Sequence, residues 1–178
     1  MVLLPEEVNE IQVRFGFEGV AVDGDHIVVT VQRAWDGELE PRLAIYNTAT
    51  MTWKFAFYPL DEPESQYGGW VGLSDIESIG NGQFLILERD NQGGPDAAIK
   101  KIYAIDLGDY SMDDNILVDK TLVHDLMPDL AAGGGLTVEK VEGLAVDSEG
   151  NMWVNNDNDG VDDNSGENLL LNIGPFSE

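Results

Sequence analysis

A dense group of side-chain oxygens lies near the C-terminal end of the sequence, in the stretch WVNNDNDGVDD at residues 153–163. The candidate ligands in it are Asn155, Asp157, Asp159 and Asp162. Calcium takes roughly six to eight oxygen ligands from carboxylates, amide carbonyls and water. The spacing matches the first half of an EF-hand loop, but Gly166 stands where the bidentate glutamate belongs. The stretch therefore predicts a calcium-binding turn of another kind, with a solvated Asn/Asp-rich turn as the alternative.

Three glutamates occupy matching places in an internal repeat made of FEGVAVDGDHIVVTVQR, IESIGNGQFLILERDN and VEGLAVDSEGNMWVNNDN. Each segment begins with an apolar residue followed by Glu18, Glu77 or Glu142, and then passes through a turn into an apolar strand. If the glutamates lie at equivalent strand starts, their carboxylates converge, and convergent carboxylates favour a bound calcium ion. The alternative is that each accepts hydrogen bonds from neighbouring backbone N–H groups and only fixes the strands.

Two arginines, Arg33 and Arg89, follow the apolar strands of the first and second repeats at corresponding places. They are conspicuous because the chain has 9 Lys and Arg against 34 Asp and Glu, a formal net charge of −25. Arginine suits bidentate contact with phosphate or carboxylate, so both are predicted to bind an anionic substrate. The alternative is a salt bridge to nearby carboxylates such as Glu88 or Asp90. The overall negative charge disfavours nucleic acid as a partner.

Nucleophilic catalysis has little support in the sequence. There are no cysteines, and GLSDI around Ser74 is not the G-x-S-x-G nucleophile elbow. His26 stands at a predicted hairpin tip and His124 in a predicted outer strand, where structural roles are expected. No apolar run approaches the roughly 20 residues of a membrane-spanning helix.

The elements that must position these residues are predicted to be almost entirely β-strands. Trp53, Phe55 and Phe57 alternate with other residues in the period of two that is typical of a half-buried strand. The three glutamates lie 59 and 65 residues apart, which fits four-stranded propeller blades with long loops. We therefore expect blade units at residues 17–60, 76–126 and 141–174, the last incomplete. A short helix within Leu122–Ala132 is the only helical segment we expect.

The segments GFEGVAVDGDHIVVTVQR, GLSDIESIGNGQFLILERD, IKKIYAIDL and VEGLAVDSEGNMWVNNDNDG resemble the phytase-like, or esterase-like, β-propeller family, which occurs mostly in bacterial exported proteins. The resemblance extends over residues 16–174. It implies calcium-assisted hydrolysis of a small phosphate ester or another anionic substrate, and an extracellular or periplasmic location. In that family the matching segments form the later part of a longer propeller. The chain is therefore expected to form about half of a closed ring, with the remaining blades supplied by a parent chain or a second copy.

Two other functions stay open at the level of sequence. One is a non-catalytic, calcium-stabilised propeller that binds a ligand or partner. The other is a lactone or ester hydrolase related to six-bladed propellers. Fold alone does not decide between these functions.

Overall fold

The computed structural model describes residues 1–6, 15–134, 136–158 and 168–176. Within these ranges strands predominate, with one 3₁₀ turn at Gly94–Asp96 and one short helix, α1 (Met127–Ala132). The strands are, in chain order, β1 (Phe17–Asp23), β2 (His26–Val31), β3 (Arg42–Asn47), β4 (Thr52–Phe57), β5 (Val71–Gly80), β6 (Gln83–Asp90), β7 (Lys100–Asp106), β8 (Ile116–Leu117), β9 (Lys120–Asp125), β10 (Val141–Val146), β11 (Asn151–Asn156) and β12 (Leu170–Pro175).

The strands form three sheets that follow the chain order. The first sheet has the order β1-β2-β3-β4-β8, the second β5-β6-β7-β9 and the third β10-β11-β12. Neighbouring strands are antiparallel, except that β8 pairs in parallel with β4. These meanders confirm the predicted all-β fold of propeller blades. Closure of the ring, and the share of it that this chain forms, stay predictions.

Local turn chemistry explains where several strands end. The hairpin between β3 and β4 turns at Asn47, whose side-chain oxygen accepts hydrogen bonds from the backbone N–H groups of Ala49 and Thr50 at 3.0 and 2.9 Å. The predicted helix is shorter than expected, because Leu122 pairs with Tyr103 in the sheet. Helix α1 begins only at Met127.

The second sheet lies at the centre of the apolar core. Residues 84–87 of β6 are fully buried, so both faces of this strand are covered. Phe84 and Ile86 belong to a cluster shared with the first sheet, whereas Leu85 and Leu87 belong to one shared with the third. A continuous apolar run is what a strand buried on both faces requires.

The first strands of the three sheets meet at an inner junction built on Asp75. Its Oδ2 accepts the backbone N–H of Leu144 in β10 at 2.7 Å, and its Oδ1 accepts that of Ile76 at 2.8 Å. Burial raises the pKa of Asp75, while these two hydrogen bonds oppose the change. Gly19 of β1 packs so closely that a Cβ atom there would lie 2.6 Å from Asp75 Oδ1. One carboxylate thus joins the second sheet to the third and sets its distance from the first.

An apolar face of β1 remains uncovered. Phe17, Val20 and Val22 are 51%, 62% and 63% exposed. Clustered exposed apolar residues are typical of a surface that another element covers. That a further blade packs on this face stays a prediction.

Replacing Gly19 by Ala is expected to destabilise the protein, because the new methyl group would overlap Asp75 and the backbone of Ile76 at the junction. Overpacking of this kind costs about 1–3 kcal/mol. Urea unfolding measures the loss. Gly16→Ala is the matched control, since nothing lies within 4 Å of a Cβ at that position. Equal stabilities of the two variants would contradict the close approach of β1 to β5.

Candidate functional site

The guanidinium of Arg33 contacts two aromatic rings where β2 ends and β5 begins. The backbone N–H of Leu73 donates to the carbonyl of Gln32 at 2.9 Å, which brings these two strand ends together. The guanidinium carbon of Arg33 is 4.8 Å from the ring centroid of Phe15 and 4.8 Å from that of Trp70. Both distances suit cation–π contact. The two rings therefore restrict the positions that the guanidinium can take.

Arg33 has no carboxylate partner within the described ranges. Partial burial lowers its pKa, but a guanidinium remains charged at neutral pH. The ion pairs of the other basic residues are Arg42 with Glu38, Arg89 with Glu142, Lys100 with Asp90, Lys101 with Asp61, and Lys120 with both Asp61 and Glu88. Lys54 donates instead to two backbone carbonyls. The charge of Arg33 is thus available to an anion.

A cleft of about 290 Å³ opens beside Arg33, between the first and second sheets. Arg33 and Trp70 form one part of its lining, and Glu40, Asp61 and Glu62 form another. Leu39, Leu60 and Pro63 add apolar surface. The cleft therefore combines one cation, an acidic wall and a smaller apolar surface, so its lining is suited to a polar ligand.

Asp61 anchors the acidic wall through three donors. Lys101 Nζ and the Tyr103 hydroxyl each donate to Oδ2 at 2.7 Å, and Lys120 Nζ donates to Oδ1 at 2.8 Å. Burial alone would raise the pKa of Asp61, but these hydrogen bonds lower it to about 2. Lys120 also donates to Glu88 at 2.8 Å. The base of the wall is therefore a fixed, ionised network.

Arg89 is buried, and each of its three side-chain nitrogens donates a hydrogen bond within the protein. Its Nε donates to the Ser74 hydroxyl at 2.9 Å, Nη1 to the Asp90 carbonyl at 3.2 Å and Nη2 to Glu142 Oε1 at 2.5 Å. Burial and the nearby Glu142 raise the pKa of Glu18, whereas the charge of Arg89 opposes this. Arg89 thus acts within the protein as the counter-ion of these two glutamates. This geometry favours the salt-bridge alternative for Arg89, with Glu142 as its partner.

The three predicted glutamates do not occupy equivalent positions. Glu18 and Glu142 are each the second residue of their strand, but Glu77 is the seventh residue of β5. The prediction of a strand start was therefore wrong for Glu77. The reason is the residue at the bulge, because the bulge of β5 between Leu73 and Asp75 holds Ser74, three residues ahead of Glu77. In β1 and β10 the bulges enclose Glu18 and Glu142 themselves.

Two of the inner glutamates have partners within the protein, and calcium binding by Glu18, Glu77 and Glu142 stays a prediction. Glu77 Oε1 accepts the backbone N–H of Val146 at 3.5 Å, and Arg89 supplies the cation for Glu142. In the part of the chain that the structure describes, no three acidic or histidine side chains are grouped to hold a metal ion.

The predicted calcium turn is described only in its first half. The side chain of Asn155 lies against Gly143, in space that a Cβ atom would fill. The backbone N–H of Asp157 donates to the carbonyl of Lys140 at 2.9 Å, which fixes the end of β11 beside β10. Asp159 and Asp162 lie outside the described residues. Calcium binding by the turn stays a prediction.

Comparison with known families identifies the group to which this architecture belongs. Residues 2–160 match the family model described as phytase-like, with esterase-like activity of phytase. The chain belongs to the phytase-like family. No curated protein and no solved structure matches this phytase-like chain. Among its described residues, none of the helices is both long and apolar enough to span a membrane.

The sequence of this phytase-like chain did not predict that Phe15 and Trp70 contact Arg33. Phe15 and Trp70 lie 55 residues apart and outside the strands that meet at the inner junction. A local signal for Trp70 did exist, because a large aromatic residue directly follows Gly68 and Gly69 in a loop. No local pattern connects it to Arg33.

Replacing Glu142 by Gln is expected to lower the unfolding free energy of this phytase-like chain by about 1–2 kcal/mol, because the buried Arg89 loses its charged partner. Urea unfolding measures the change. The control is Glu149→Gln, since Glu149 is exposed at the turn between β10 and β11. Its effect should stay within about 0.5 kcal/mol. A loss no greater than that of the control would show that Arg89 does not depend on Glu142.

Proposed function

We propose that this chain forms the substrate-binding part of a hydrolase that acts on small phosphate esters, with the phosphoryl group bound by Arg33. The observation that carries the proposal is the Arg33 guanidinium, which lines a cleft and lacks a carboxylate partner within the described ranges. Membership of the phytase-like family supports hydrolysis as the reaction class.

The electrostatics of the chain give Arg33 its importance. At a net charge of −25, the long-range field repels a phosphate ester, so binding depends on a local cation. The guanidinium presents paired N–H donors that match two phosphate oxygens, and its contacts with Phe15 and Trp70 restrict its movement. Little orientational freedom is therefore lost when the ester binds.

We further propose that calcium is bound by Asn155, Asp157, Asp159 and Asp162. Carboxylate and amide oxygens suit this ion. When bound, calcium supplies a Lewis acid that polarises phosphoryl oxygens and neutralises negative charge. The residues of this chain that act on the ester in our proposal are Arg33, which binds the phosphoryl group, and Phe15 and Trp70, which orient Arg33.

The described side chains give no support to a serine esterase mechanism. The Ser74 hydroxyl accepts a hydrogen bond from Arg89, His26 is bonded to Asn47, and His124 is bonded to Asp129. No Ser–His pair is therefore formed within the described part of the chain. A non-catalytic binding module remains the second candidate, because the cleft explains binding more directly than bond cleavage.

Replacing Arg33 by Gln is expected to weaken phosphate-ester binding by about 10- to 100-fold, the magnitude of one or two charge-assisted hydrogen bonds. Calorimetric titration with 4-nitrophenyl phosphate measures affinity, and release of nitrophenol measures hydrolysis. Arg33→Lys is the matched variant and should recover part of the affinity, since it keeps the charge but loses the planar fork. Unchanged binding in both variants would refute the role of Arg33. Binding without nitrophenol release would favour the binding module.

Removing calcium is expected to lower the melting temperature by roughly 5 to 10 °C, if the ion is near 100 times its dissociation constant. Differential scanning calorimetry in calcium and in excess chelator measures the shift. Asp157→Asn should reduce it, because one charged ligand is lost. Asp25→Asn, in the exposed turn between β1 and β2, is the control and should leave it unchanged. Identical melting curves with and without chelator would eliminate the calcium site.

A further inference from the structure

We infer that the cleft beside Arg33 selects monophosphate esters of small polyols, whose free hydroxyl groups bond to Glu40 and Glu62, over fully phosphorylated polyols. The inference rests on the proposed binding of the phosphoryl group at Arg33. It concerns the part of the ligand that lies beyond that group.

The supply of cations limits the cleft to one phosphoryl group. Arg33 is the lining residue that offers an uncompensated positive charge within the described ranges. Lys101 and Lys120 approach the cleft only through Asp61, and both are paired with that carboxylate. Without a bound divalent ion, a second phosphoryl group would therefore find no cation and would face the acidic wall.

The acidic wall still has capacity to accept hydrogen bonds. Glu40 Oε2 accepts the backbone N–H of Leu60 at 3.1 Å, which leaves its other oxygen available. Glu62 is exposed, and its carboxylate makes no hydrogen bond within the described ranges. Asp61, in contrast, already accepts three donors. Ionised carboxylates only accept hydrogen bonds, so Glu40 and Glu62 suit a ligand that carries donors, and hydroxyl groups supply them.

The size and remaining lining of the cleft agree with a small polyol. A volume of about 290 Å³ is near the lower end of the range for ligand pockets, roughly 300 Å³ and above. Leu39, Leu60 and Pro63 provide apolar surface for the C–H groups of a carbon chain. A ring that carries phosphoryl groups on every carbon combines larger bulk with the charge that the wall repels.

The test is calorimetric titration of the whole chain with three probes in buffer without added divalent ions. The probes are glycerol 1-phosphate, ethyl phosphate, which lacks free hydroxyl groups, and inositol hexakisphosphate. We expect glycerol 1-phosphate to bind at least five times more tightly than ethyl phosphate and more tightly than the hexakisphosphate. In Glu62→Gln and in Glu40→Gln, the preference over ethyl phosphate should fall at least twofold, and hexakisphosphate binding should improve.

Glu149→Gln is the matched control, because it removes the same charge from an exposed turn that does not line the cleft, and it should leave every preference unchanged. If the Glu40→Gln variant unfolds because its contact with Leu60 is weakened, the Glu62→Gln variant alone decides whether these carboxylates select a polyol. Equal affinities for glycerol 1-phosphate and ethyl phosphate, both lost in Arg33→Gln, would overturn the polyol selection and leave the proposed function intact. Tightest binding of the hexakisphosphate would also overturn the selection. If no phosphate ester binds, both proposals fail.

Discussion

Scarcity of positive charge is the constraint on which the rest of this structure depends. With 34 acidic residues and 9 Lys and Arg, an acidic group can be buried beside a cation at only a few places. The most enclosed pair is Lys100 with Asp90, where Asp90 also accepts the backbone N–H groups of Ala98 and Ile99. Burial lowers the pKa of Lys100 to about 8, against the opposing effect of Asp90. Such a pair contributes less through net attraction than through the penalty that breaking it would bring.

The same scarcity of positive charge makes Arg33 important, because it lines the cleft and has no carboxylate partner in the described ranges. In a chain with abundant carboxylates, this arginine contacts two aromatic rings and forms no ion pair within the described ranges. A site for an anion needs such a cation, because an internal salt bridge would compete with the ligand. Arg33 follows the end of β2 and lines a cleft, whereas Arg89 lies within the last residues of β6 and is buried.

The inner junction shows how backbone geometry distributes these roles. Bulges displace the first strands of all three sheets, and they enclose Glu18 and Glu142 but precede Glu77. As a result, Ser74 and Asp75 occupy the positions in β5 that a glutamate and a glycine occupy in β1 and β10. Asp75 then joins β5 to β10, and Ser74 accepts a hydrogen bond from Arg89. A serine at the bulge of β5, where the other two first strands carry a glutamate, therefore leaves an ion pair and a structural link in place of the expected ring of carboxylates.

The sequence by itself determined the strands, the all-β class and the family, because these depend on local periodicity, turn residues and motifs that lie within a few positions of one another. It also indicated Arg33, through the rarity of basic residues. Only the tertiary structure decided that Arg89 pairs with Glu142, 53 residues away, and that Phe15 and Trp70 enclose Arg33. The same holds for the departure of Glu77 from the inner pair. The physical reason is that these contacts join residues that are distant in sequence, and which residue falls at each bulge is set by the pairing of whole strands and not by a local pattern.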